Sequence, residues 1–229
     1  MTTQALPTPS VNDLESELLD NPADTAQQEQ EQGQLVLDRA AQDLLFRQAR
    51  TANTFTDEPV SDEQVQAIYD LAKWGPTSMN NQPLRIVLVR TPEARGRLVE
   101  HMAGGNKAKT STAPLVAVLA ADHDFHDEFT RTFPHFPGAR DLFAADADAR
   151  ARTAETNALL QVAYFLIAVR AAGLSAGPMT GFDADGVSRE FFPDGQHRAL
   201  VVVNIGRPGP DAWQSRLPRL DYDDVVTVA

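Results

Sequence analysis

Cysteine is absent from this chain of 229 residues. That excludes thiol nucleophiles, disulfide frameworks, cysteine-ligated zinc and iron–sulfur clusters. Basic charge is also scarce: 20 Lys and Arg against 32 Asp and Glu leave a net charge of −12. A nucleic-acid partner is not expected, because phosphate backbones call for a basic face. No run of about 18 apolar residues occurs, so no membrane-spanning helix is expected. Before Arg39 there is no Lys or Arg and no opening apolar stretch; a secretory signal is not expected, and the chain reads as cytoplasmic. G-x-G-x-x-G and P-loop patterns are missing as well, and Ser/His/Asp catalysis from a nucleophile elbow is not expected. His123 and His126 stand three apart, but no third ligand accompanies them, so no metal site is expected.

The charge that is present is unevenly placed. Eight acidic side chains fall within residues 1–38, which hold no Lys or Arg, so the remainder carries only −4. Residues 1–33, with their Gln/Glu run, read as a disordered acidic tail, and 34–229 as one folded domain. Leu35, Val36, Leu37, Ala40, Ala41, Leu44 and Leu45 predict an amphipathic helix ending near Gln48. Ser61 and Gln64 form a capping box for a second helix, which Gly75-Pro76 stops. Arg85–Arg90 and Ala199–Ile205 read as strands, and Leu115–Ala121 as a strand buried on both faces. Thr91-Pro92 opens a short helix, and Gly104-Gly105-Asn106 reads as a turn. Residues 122–149 form an aromatic, charged excursion. Arg150–Ala172 is a long helix, apolar on several sides, which suits a core helix or a subunit interface. The order predicts α+β with a small central sheet.

Three separated pieces stand out. Arg50-Thr51-Ala52-Asn53 follows the first helix. Pro76 to Pro83 packs two hydroxyls and three carboxamides between a helix and a strand. Such groups suit a heterocycle edge that alternates donors and acceptors, though they also suit an ordinary turn. Gly177–Phe182 allows close main-chain approach to a flat ligand, and Arg216 and Arg219 downstream offer guanidinium forks to phosphate.

Together these pieces resemble the FMN-dependent nitroreductase family. Arg50-Thr51-Ala52-Asn53-Thr54-Phe55 is similar to its N-terminal R-S-x-R-x-F segment, and Pro76–Pro83 to its P-S-x-x-N-x-Q-P loop. Pro178–Asp183 falls where the family has P-x-E-G-F-D, and Arg219–Val225 resembles its terminal R-x-P-x-E-E-V. KWGPTSMNNQP, GNKAKTSTAP, AGPMTGFD and SRLPRL are similar to the malonic semialdehyde reductase branch of pyrimidine degradation. The resemblance implies a nitroreductase-like α+β fold with a mostly antiparallel sheet, forming a homodimer with FMN at the subunit interface. It implies NADPH or NADH as reductant, nicotinamide and acceptor using one shared site. Arg50, Thr51, Arg216 and Arg219 would hold the FMN phosphate. Pro76, Thr77, Ser78, Asn80 and Gln82 would contact the ring or ribityl chain, with Asn53 near flavin N1. Pro178, Met179, Thr180 and Gly181 would bring a main-chain N–H to flavin N5.

Two positions depart from the pattern. Asn53 stands where the family often has a cation, and Thr180 where it has Glu, which opens the acceptor specificity. The implied function is reduction of a small acceptor, malonic semialdehyde giving 3-hydroxypropionate, with Lys109 or Arg140 as a cation for its carboxylate. The alternatives are a general nitro or quinone reductase and a non-catalytic flavin-binding protein.

Overall fold

The computed structural model describes residues 35–229; the expected tail, 1–33, lies outside the described residues. Contacts divide the chain into two compact units, Met1–Arg47 and Gln48–Ala229. In the first, helix α1 (Arg39–Gln42) runs into a π-turn, Asp43–Arg47. The apolar spacing predicts a start at Leu35, but the Asp38 carboxylate accepts from the Ala41 N–H at 2.8 Å. That cap fixes the helix start, and Leu35, Val36 and Leu37 are left exposed.

The second unit is built on four strands: β1 (Leu84–Val89), β2 (Leu115–Asp122), β3 (Ser175–Met179) and β4 (His197–Gly206). Their order is β1-β2-β4-β3, and every neighbouring pair is antiparallel. Strand β2 is buried along its whole length. Its side chains alternate, Leu115, Ala117 and Leu119 entering one core and Val116, Val118 and Ala120 the other. Removing each larger side chain from water stabilises the fold by about 1.5–3 kcal/mol.

Helices cover both faces. Helix α2 (Asp62–Ala72) starts at the expected box, Ser61 and Gln64 each donating a main-chain N–H to the other's side chain. Helix α3 (Pro92–His101) has Thr91 as its cap and Pro92 in its first turn. Helix α4 (Gly104–Thr112) occupies the stretch expected to be a turn. Its two glycines lie in the first turn, where N–H groups have no intrahelical acceptor anyway. Tertiary contact holds the rest: Arg95 donates to the carbonyls of Thr110 (2.8 Å), Ala113 (2.6 Å) and Val89 (3.0 Å).

The excursion after β2 folds into a 3₁₀ turn (Phe125–Glu128), α5 (Phe129–Thr132) and α6 (Ala139–Ala144). Phe125, Phe129 and Phe143 pack there with ring centroids 5.2 to 5.7 Å apart. The long helix α7 (Ala147–Ala171) is capped by Asp146, and Gly173, at φ 73°, turns the chain after it. Strand β3 was not expected, because Gly177 and Pro178 are poor strand residues; at a sheet edge, a proline's missing N–H leaves no central ladder bond unmade. Helices α8 (Ala184–Phe191) and α9 (Tyr222–Val225) complete the unit. Among the described residues no helix is long and apolar enough to cross a membrane.

Candidate cofactor site

The segment Arg50–Asn53 lies along the edge strand β3. The Ala52 N–H donates to the Ala176 carbonyl at 3.2 Å, and the Asn53 N–H to that of Ala212 at 3.0 Å. Gly177 makes the approach possible, since a Cβ there would stand 2.6 Å from the Ala52 oxygen. The chain after β4 is tied to the same segment. Arg50 donates to the Gln214 carbonyl and Arg216 to that of Ala49, each at 3.3 Å. The result is a cleft of about 230 Å³ whose walls include Arg50, Thr51, Asn53, Arg216 and Arg219. These five predicted residues, drawn from opposite ends of the unit, come together.

The electrostatics of this cleft are unusual for so acidic a chain. Among the described residues no carboxylate pairs with Arg50, Arg216 or Arg219. Their guanidinium groups donate only to main-chain carbonyls, those of Arg219 being Leu217 (2.9 Å) and Pro218 (3.2 Å). Three uncommitted forks and the Thr51 hydroxyl suit a phosphate monoester. The donor set therefore fits the phosphate end of FMN.

Pro178 and Met179 end β3 beside this segment. The Met179 side chain is buried, with the Thr110 hydroxyl 3.8 Å from its sulfur. Thr180 and Gly181 are exposed. The Gly181 carbonyl accepts from the Ala103 N–H (3.0 Å) and the Asn106 side chain (2.9 Å). Asn106 and, one helical turn on, Lys109 thus border the predicted ring-binding turn. Asn106 was missed because its stretch reads as a turn; an Asn one turn before an unpaired Lys on a polar helix is the signal that could have found it. Lys109 forms no ion pair among the described residues, whereas Arg140 is bound to Asp127 at 2.8 Å.

The carboxamide loop lies elsewhere. Met79, Asn80 and Gln82 all have left-handed backbone, φ 53°, 52° and 42°, a conformation that non-glycine residues adopt at a cost of about 1–3 kcal/mol each. Side-chain hydrogen bonds help to hold it. Asn157 of α7 accepts from the Ser78 N–H at 2.7 Å, and the Thr77 hydroxyl from the Gln82 N–H at 3.3 Å. The Gln82 amide donates to Asn80 Oδ1 at 2.9 Å, and Asn80 Nδ2 to the Thr132 carbonyl at 2.8 Å. Asn80 is thus spent within the protein rather than offered whole to a ligand. Asn157 is a further residue missed in the sequence, a polar side chain on the buried face of an apolar helix. A cavity of about 440 Å³ opens beside the loop, but its arginines are taken, Arg85 by Asp122 (2.6 Å) and Arg131 by Glu128 (2.9 Å). Among the described residues no hydrogen bond joins Pro76–Pro83 to Arg50–Asn53, to Pro178–Gly181 or to the downstream arginines.

The chain is similar to known proteins in sequence and in fold. The nitroreductase family model matches residues 46–207. A Streptomyces coelicolor protein provisionally named NADH dehydrogenase/NAD(P)H nitroreductase is 67% identical over 193 residues, covering 84% of this chain and 98% of its own. A Bacillus subtilis protein provisionally named a nitroreductase has a structure that aligns with a TM-score of 0.73 at 20% identity, over 84% of this chain and 100% of the other. One from Exiguobacterium sibiricum, solved in complex with FMN, aligns with a TM-score of 0.68 at 19% identity, over 79% and 93%. Sequence and fold agree along most of the folded unit, and this chain belongs to the nitroreductase family.

Proposed function

We propose that this protein is an NAD(P)H-dependent flavin oxidoreductase that holds the FMN phosphate between Arg50, Thr51, Arg216 and Arg219. The observation that carries the reading is the convergence of three guanidinium groups without carboxylate partners, in a chain of net charge −12. Bound there, FMN would supply hydride transfer between NADPH or NADH and an acceptor. The protein's own part is positioning. The arginine forks fix the anionic end, and the main chain of Pro178–Gly181 presents a flat wall for the ring. The Asn53 side chain is directed to the Ala212 carbonyl, 3.5 Å away, which leaves Lys109 as the cation on offer near the ring. Lys109 is also the better-placed partner for an acceptor carboxylate, because Arg140 is already paired.

The protein acts in this reading as a homodimer, the loop Pro76–Gln82 of one subunit completing the cleft of the other. Exposed apolar side chains support it: Leu159, Leu160 and Tyr164 on α7, and Tyr69, Leu71 and Trp74 on and after α2. The acceptor in the finer reading is malonic semialdehyde, supported by the four segments similar to that branch, and the location is cytoplasmic. The test is a visible absorption spectrum of the purified protein before and after anaerobic NADPH. A yellow preparation that bleaches is expected; one that stays colourless in excess FMN sinks the proposal, and one that stays yellow is a flavin-binding protein without turnover. NADPH consumption with malonic semialdehyde, set against a nitroaromatic and a quinone, then decides the acceptor.

A further inference from the structure

His101 closes α3, and its main chain pairs with the segment that follows β3. The Asp183 N–H donates to the His101 carbonyl at 2.9 Å, Ala103 N–H to the Gly181 carbonyl at 3.0 Å, and Met102 bridges Phe182. Residues 101–103 and 181–183 thus form a short antiparallel clasp. It holds the turn Thr180–Phe182, which the functional reading places against the reacting ring. The clasp is closed on one side by two titratable side chains. His101 Nδ1 lies 3.7 Å from Asp183 Oδ2, and Gly186, in the first turn of α8, leaves them room: a Cβ there would overlap both atoms.

Asp183 is doubly engaged. Its other carboxylate oxygen accepts from the Gly186 N–H at 3.0 Å as the cap of α8. That bond, above all, holds the carboxyl below its ordinary value. Other charges stand around the pair. Arg97 of α3 pairs with Glu190 of α8, Asp185 and Arg189 project from α8, and the Lys107 ammonium of α4 reaches the Glu100 carbonyl at 3.4 Å. Of these, the Arg189 charge also lowers the Asp183 carboxyl, ahead of His101.

We propose that His101 is a positioning residue for the turn Thr180–Phe182, acting through Asp183, and that its charge sets how firmly the clasp holds that turn. The imidazolium draws Asp183 and the end of α3 together; the neutral ring leaves the clasp to its main-chain bonds and Asp183 to its cap on α8. The catalytic meaning of the turn rests on the flavin reading above, but the mechanical coupling does not.

The experiment therefore reads both. Hydrogen exchange of the peptide containing Thr180–Asp183 is measured on the full-length, FMN-loaded protein at about pH 5 and pH 8, the range over which imidazoles change charge. His101→Gln fixes the neutral state and His101→Lys the charged one. Exchange in the Gln variant is expected to be about two- to fivefold faster than in the Lys variant, the worth of a partly exposed ion pair. Gly186→Ala, which displaces the pair while keeping the imidazole, should loosen the clasp at both pH values. The rate of anaerobic bleaching by NADPH should move in step. Equal exchange in the Gln and Lys variants, or an unaltered clasp in Gly186→Ala, overturns the inference. A wild type that takes up no FMN, or is not bleached, defeats the functional reading instead, and the exchange data still decide this one.

Discussion

Arg50, Thr51, Arg216 and Arg219 are brought together by main-chain hydrogen bonds of Ala52 to Ala176 and Asn53 to Ala212, whereas Thr77–Gln82 is held by the Asn157 side chain of α7 and the Thr132 carbonyl of the excursion. The cleft is therefore set largely by the backbone, and its arginine heads have no carboxylate partner among the described residues. The loop is a strained piece of chain whose own polar groups keep it in shape. Substitutions of the arginine heads in the first region should cost ligand and leave the fold alone. In the second they should cost stability first.

The largest effect is expected from Arg219→Ala or Arg50→Ala. Loss of a charge-assisted hydrogen bond weakens binding about ten- to a hundredfold, so FMN affinity by fluorescence titration should fall that far while the melting temperature of the apoprotein holds. A parallel loss of stability would break the contrast. Mixing Arg50→Ala/Arg219→Ala chains with Ser78→Pro chains sharpens it. If the loop acts across a dimer, mixed species regain about one intact site in two, and no recovery on mixing would place each loop with its own cleft.

Gly177→Ala comes next. Its Cβ would press on the Ala52 carbonyl, and overpacking of this kind costs about 1–3 kcal/mol; denaturant unfolding should show it, together with weaker FMN binding. Asn157→Ala leaves the Ser78 N–H without its acceptor, for about 1–3 kcal/mol. Here the unfolding midpoint should drop more than FMN affinity does, and the reverse order would refute the division between the regions.

The smallest effect belongs to neither region and serves as a baseline. The Asp194 carboxyl is lowered from its ordinary 3.8, first by the His197 side chain and then by the Gln196 N–H. A depressed folded value means that its contribution is present above the unfolded value and fades as pH falls through the folded one. Asp194→Asn should melt slightly below wild type at neutral pH and converge with it in acid, by less than any of the changes above.

Parts of the site were legible because they are local. A capping box is written in four residues, and Ser61–Gln64 and Thr91-Pro92 start their helices where expected. Strand β2 is legible because a strand buried on both faces has no polar side to break its apolar run. Strand β3 and helix α4 were not, since glycine and proline argue against regular structure and only distant partners, Asn204 and Val203 for one and Arg95 for the other, override them. The left-handed backbone at Met79 and Gln82 was hidden for the same reason: nothing nearby in sequence demands it. Nor did composition reveal that Asn80 and Gln82 bond to each other.

The order of residues alone determined the family and the α+β layering, and it singled out the arginines, hydroxyls and carboxamides proposed for the cofactor, because those follow from side-chain type and short-range spacing. Only the tertiary structure decided that Arg50, Arg216 and Arg219 share one cleft while the carboxamide loop of the same chain stands apart from it. That outcome turns on main-chain hydrogen bonds between remote segments, such as Ala52 to Ala176, which any non-proline residue can make. Such bonds leave little mark on the residues that form them.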